Sequence, residues 1–144
     1  VVVTRTADMD FDTPLFTEAE TPTIVVTSRA ARTKVPSALQ VVAEGEDDID
    51  LPAAVATLRE GLGHGRLLCE GGPALAGALI RASLVDELCL NIAPTLLGGP
   101  RHTRLVHGLD AEVPLDPAAV YLDEGVLFVR YRLRTAPTAP TART

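Results

Sequence analysis

Apolar residues along this 144-residue chain fall into short runs and helical stripes separated by turn residues. Val1–Thr4, Thr23–Thr27 (Thr-Ile-Val-Val-Thr) and Gln40–Ala43 are brief runs of the kind that fill a parallel sheet. Between the first two, Arg5 to Glu20 is polar and rich in turn residues, with Asp8, Asp10, Asp12 and Pro14. Ser28 is placed to cap a helical turn through Arg29–Lys34, which Pro36 ends. Leu51, Val55, Leu58 and Leu62 recur on one face of a helix. Asp50 is its expected cap, Pro52 lies in its first turn, and Gly61 or Gly63 ends it. Leu67–Cys69 reads as a short buried strand. Gly71-Gly72-Pro73 then turns the chain into a second helix carrying Leu75, Ala76, Leu79 and Ile80. Leu88–Ile92 is a further strand. Ala119–Leu122 and Val126–Leu133 flank Asp123-Glu124-Gly125, expected as a three-residue hairpin loop with Gly125 in the left-handed region. In the last strand Leu127, Val129, Tyr131 and Leu133 alternate with Arg130 and Arg132, a half-exposed pattern.

Strands alternating with helices imply an α/β protein, a three-layer α/β/α arrangement with a mostly parallel sheet and an antiparallel hairpin at its C-terminal end. The length suits one domain, assigned to residues 1–134. Thr135–Thr144 is a Pro/Thr/Ala tail too poor in apolar residues to pack, and disorder is expected there. The chain opens on Val1-Val2-Val3, a strand already under way, so a preceding portion is expected.

A hydrophobic share of 47% excludes a disordered chain. Aromatics are only 3%, so the core must be built of Leu, Val, Ile and Ala. A net charge of −6 argues against a general nucleic-acid or membrane-surface binder. No apolar run approaches the length of a membrane span, and no signal-peptide pattern opens the chain. Cys69 and Cys89 lie in apolar runs and are expected as buried, reduced thiols, which fits a cytoplasmic protein.

The candidate chemistry centres on Glu70-Gly71-Gly72-Pro73-Ala74-Leu75. Strand, glycine turn and helix together aim free backbone N–H groups and the positive end of a helix dipole at one point. Gly71 and Gly72 let an anion approach the backbone closely. Glu70 sits at the strand's carboxyl end, where ligands of open α/β sheets collect. An ordinary connection carries the same pattern. Gly61-Leu62-Gly63-His64-Gly65 is a helix stop, since it precedes a strand instead of following one. Asp8, Asp10 and Asp12 lack the glycine and distal glutamate of a calcium loop. His102, Arg104 and His107 form a basic patch without metal-ligand spacing, so no metal site is expected.

Three strings, Glu70-Gly71-Gly72-Pro73-Ala74-Leu75, Leu84-Val85-Asp86-Glu87-Leu88 and Ile92-Ala93-Pro94-Thr95-Leu96-Leu97-Gly98-Gly99, closely resemble the riboflavin-biosynthesis reductase family. Val1–Arg5 and Pro22–Thr27 resemble that family's strands, and the likeness extends from Val1 to about Leu133. The resemblance implies a dihydrofolate-reductase-like fold, a homodimer, and NADPH as the hydride donor. The implied reaction is reduction of the ribosyl group of 5-amino-6-(5-phosphoribosylamino)uracil. Carried over by position, Gly72, Pro73, Ala74 and Leu75 would lie on the cofactor diphosphate, with Gly71 giving the close turn. Thr4 would contact the adenosine end. Arg5 beside it is suited by charge to the 2′-phosphate. Glu70 would touch the substrate, and no catalytic residue is assigned. The family's leading portion, which carries most substrate contacts, has no counterpart here. Two alternatives therefore stand beside the reductase: a dihydrofolate or pteridine reductase, and a non-catalytic nucleotide-binding or dimerising fragment.

Overall fold

The computed structural model describes residues 1–98 and 104–134. The described chain falls into two compact units, Val1–Cys69 and the residues from Glu70 onward.

The first unit is built on a three-stranded parallel sheet in the order β1 (Val2–Val3), β2 (Ile24–Thr27), β3 (Gln40–Ala43). Val2 pairs with Val25, and Val25 with Val41. β2 is buried along its whole length, because successive side chains enter different cores. Ile24 and Val26 pack with Val42, Ala54 and Leu58 on one face. Val25 packs with Ala7, Ala31 and Val35 on the other, covered by Phe11, Phe16, Leu39 and Val41. A strand in that position must be apolar at every residue, which explains the unbroken Ile-Val-Val run.

The Asp50 cap forms as expected. The Asp50 carboxylate accepts from the Ala53 N–H at 3.0 Å and caps α2 (Leu51–Ala56). α2 then widens into a π-helical turn over Thr57–Gly61, with the Leu62 N–H donating to the Thr57 carbonyl at 3.0 Å. The buried positions are Ala54 and Leu58, with Leu62 half-buried against the same core; Leu51 and Val55 are only half-buried. Leu58 and Leu62 thus pack as expected, while Ala54 takes the buried place expected of Val55. A short helix, α1 (Pro14–Thr17), lies within the turn-rich segment where none was expected.

Leu67–Cys69 departs from expectation. It is neither a strand nor buried: Leu68 is 84% exposed. An apolar run becomes a strand only by pairing, and no described strand hydrogen-bonds to it. Cys69 and Cys89 are likewise exposed free thiols and not buried ones.

The second unit holds α3 (Pro73–Arg81) and a three-stranded antiparallel sheet in the order β4 (Glu87–Ile92), β6 (Val126–Leu133), β5 (Leu115–Asp123). Parallel pairing is therefore confined to the first unit. Asp123 pairs directly with Val126, so the hairpin turn has two residues and not three. Glu124 (φ 46°) and Gly125 (φ 80°) are both left-handed, the backbone that matches the twist of the flanking strands. The far end of the hairpin is tied by Arg134, whose guanidinium binds the Asp116 carboxylate and holds its pKa below the usual value. The expected tail, 135–144, together with Gly99 of the family-like string and His102 of the basic patch, lies outside the described residues.

Two substitutions test the first core. Leu58→Ala should cost about 2–5 kcal/mol, since it leaves a cavity among Ile24, Val26 and Val42. Asp50→Ala should cost about 1 kcal/mol through loss of the cap. Urea titrations of the two variants check both values; equal midpoints would contradict this assignment of the core.

Candidate functional site: two sets of unsatisfied polar groups

One set stands at the start of α3. Gly72 is the N-cap residue, extended at φ −67°, ψ 177°, and makes no side-chain cap. The Ala76 N–H donates to the Gly72 carbonyl at 3.1 Å. Pro73 has no N–H to offer. The amides of Ala74 and Leu75 find no backbone acceptor among the described residues, as expected for the first turn of a helix. A Cβ at Gly72 would meet nothing within 4 Å. The fold therefore gives no steric reason for glycine at this position. A ligand pressed against the backbone would. At Gly71 a Cβ would come within 2.7 Å of Leu75 Cδ2, a movable methyl group, so that glycine is also not required by the local packing. Glu70 is exposed beside them, and its carboxylate has no ion-pair partner among the described residues.

The other set lies in the first unit, at the carboxyl edge of the parallel sheet. Val3 pairs with Val26 and the Thr4 N–H donates to the Val26 carbonyl at 2.9 Å, so Thr4 and Thr27 end neighbouring strands side by side. The Thr4 hydroxyl oxygen accepts from the Ala7 N–H at 3.1 Å, which leaves its proton free to donate. Ser28 ties the two strand ends together: its hydroxyl donates to the Arg5 carbonyl at 3.2 Å and accepts from the Ala31 N–H at 3.3 Å. The Arg5 guanidinium is exposed and makes no ion pair among the described residues. Thr27 is fully buried, yet its Oγ1 has no hydrogen-bond partner there. Such a group costs about 1–3 kcal/mol when left unmade.

Thr27 and Ser28 were not singled out as site residues from sequence, where Ser28 was only a cap. The signal was present: a hydroxyl pair closing an apolar strand belongs at the carboxyl edge of a parallel sheet, where ligands of α/β folds bind. Thr4 and Arg5 belong to the first unit and Glu70, Gly71, Gly72, Pro73, Ala74 and Leu75 to the second.

The RibD C-terminal domain family matches residues 1–127. The chain belongs to that family. Among relatives of the RibD C-terminal domain, it is 34% identical over 93 residues to a 2,5-diamino-6-ribosylamino-4(3H)-pyrimidinone 5′-phosphate reductase of Methanothermobacter thermautotrophicus, covering 62% of this chain and 43% of that protein. It is 69% identical over 29 residues to the Escherichia coli riboflavin biosynthesis protein RibD, 20% of this chain and 8% of that one. Of solved structures, Acinetobacter baumannii RibD superposes with a TM-score of 0.70 at 19% identity, over 92% of this chain and 36% of that chain. A pyrimidine reductase-like protein of Corynebacterium diphtheriae gives 0.68 at 19% identity, over 93% and 60%. These likenesses establish the α/β fold of the RibD-type reductases. The chain spans less than half the length of the archaeal relative it matches.

If Gly72 is kept for a ligand and not for folding, Gly72→Asp should leave unfolding free energy within about 0.5 kcal/mol of wild type. Urea denaturation measures this. A larger loss would place Gly72 among the structural glycines.

Proposed function

We propose that this RibD C-terminal domain is the cofactor-binding part of an NADPH-dependent reductase of riboflavin biosynthesis. Its substrate would be a ribosylaminopyrimidine 5′-phosphate, in the deaminated form 5-amino-6-(5-phosphoribosylamino)uracil, reduced at the ribosyl group. The observation that carries this reading is the turn before α3. It has a glycine that the fold does not require and, among the described residues, amides at Ala74 and Leu75 and a carboxylate at Glu70 without a partner.

The residues fit a dinucleotide phosphate. Gly71, Gly72, Pro73, Ala74 and Leu75 would hold the diphosphate against backbone N–H groups and the helix dipole. Thr4 would meet polar atoms of the adenosine end, with Arg5 neutralising the 2′-phosphate. NADPH supplies the hydride. The chain's own part is to orient and to exclude misplacement. Glu70 is unsuited to the diphosphate, because like charges repel at short range. It suits a donor group on the pyrimidine or its ribose. A cytoplasmic location goes with this reading, and no helix among the described residues is long and apolar enough to cross a membrane.

The decisive assay is NADPH oxidation by the full-length protein with the ribosylaminouracil phosphate, with its 2,5-diaminopyrimidinone counterpart and with dihydrofolate. Turnover of the first is the expected result. Turnover of dihydrofolate alone would replace the substrate assignment, and turnover of none would favour a binding fragment. In the same assay Gly72→Asp should raise the Kd for NADPH at least about tenfold, through a like charge in the cradle. Glu70→Gln should lower kcat or raise KM for the pyrimidine while leaving NADPH affinity unchanged. Wild-type kinetics in Glu70→Gln would remove it from the site.

We also propose that the chain self-associates as a homodimer. Strand pairing puts Ile92, Leu127, Leu122 and Val120 on one face at the turn end of the antiparallel sheet, all of them exposed. Leu96 and Leu97 add almost fully exposed side chains. Apolar surface of this kind associates. Light scattering across a concentration series should give a mass above the monomer; a monomer mass throughout would refute the dimer.

A further inference from the structure

Gly77 is the only buried residue of α3, and backbone is what buries it. A Cβ there would collide with the carbonyl oxygen of His107. It would also stand 2.9 Å from the His107 carbonyl carbon and 3.3 Å from Val106 Cγ1. The same segment meets α3 at both of its ends. At the start, the His107 N–H donates to the Pro73 carbonyl at 3.0 Å. At the finish, the Arg81 guanidinium donates to the Gly108 carbonyl. Gly108 is left-handed at φ +74°, and a Cβ on it would run into that guanidinium. Val106–Gly108 is therefore hydrogen-bonded to the first and the last residue of α3, with its backbone in the notch that Gly77 leaves open.

A helix of nine residues has little stability of its own and takes its place from what packs on it. Donors that bind an anion tightly must be aimed before the anion arrives. For α3 the closest contact that can fix that aim is the one at Gly77. We propose that Val106–Gly108 is a positioning strap for α3. Through Gly77 and Arg81 it holds the Gly71–Leu75 amides in the direction that receives a dinucleotide diphosphate. Gly77 and Arg81 are positioning residues and touch neither substrate nor cofactor. The inference rests on the reductase reading for the identity of the ligand, but the strap itself is a property of this unit.

The test uses the full-length protein, NADPH as probe, and the variants Gly77→Ala, Arg81→Ala and Arg81→Lys. In the first two, the Kd and KM for NADPH should rise about three- to thirtyfold. Their kcat at saturating NADPH should stay within about twofold of wild type, the mark of lost uniform binding. Arg81→Lys, which can still donate to the Gly108 carbonyl, should recover most of the affinity. Amide hydrogen exchange without nucleotide should accelerate at the His107 amide and over Ala76–Arg81 in Arg81→Ala, with the parallel sheet unchanged. Wild-type affinity and wild-type exchange in Arg81→Ala overturn the strap, as does acceleration spread evenly over the protein. If Gly77→Ala does not fold, the Arg81 pair decides alone. If the wild type does not bind NADPH, the reductase reading fails. Exchange then still decides the strap: acceleration confined to the His107 amide and α3 supports it, and none overturns it.

Discussion

The first turn of α3 has more hydrogen-bond donors than the described chain has acceptors for them. Every helix begins this way, and most chains answer with a Ser, Thr, Asp or Asn at the cap. Asp50 does so for α2. At α3 the cap is Gly72, which offers no side chain, followed by Pro73, which has no N–H. The donors are left open and the approach to them is cleared. That choice costs the helix a cap and yields a surface that an anion can complete. Much else in the second unit serves the same point, including the glycine notch that seats the neighbouring segment on the helix.

The first unit makes a different kind of opening. Its strands are parallel, so their carboxyl ends lie at one edge, and the residues that end them are Thr4 and Thr27. Thr27 is the more telling of the two. A buried hydroxyl without a partner is uncommon in folded proteins because it is costly. Here the cost is borne inside the first unit, with the oxygen closed off from the surface. The two units present different groups: open backbone N–H groups at the start of α3 in one, and the Thr4 hydroxyl beside the exposed Arg5 in the other.

The antiparallel sheet shows how composition is divided between faces. Val129 pairs with Leu90 and Val120, and Leu127 with Ile92 and Leu122. On the opposite face Arg130 and Arg132 stand with Glu87, within 3.9 Å and 3.8 Å of its carboxylate. These exposed ion pairs add little stability. They keep that part of the face wetted while the other face is apolar.

Most local structure was legible in the sequence. The Asp50 cap, the Pro73 start of α3, the strand at Gln40–Ala43 and the left-handed Gly125 each depend on residues within one turn of each other, and each formed as expected. The open first turn of α3 was legible for the same reason. What the sequence left undetermined depends on partners far away along the chain. Leu67–Cys69 has the composition of a strand but no described strand beside it, and Cys69 and Cys89 are exposed where a buried sheet would have hidden them. The orphaned hydroxyl of Thr27 follows from the packing around β2, and the burial of Gly77 from a segment about 30 residues downstream. Propensity and spacing act over a few residues, so the sequence alone could specify caps, turns and stripes. Burial and pairing are set by contacts between distant segments, so only the tertiary structure decided which polar groups are left without a partner.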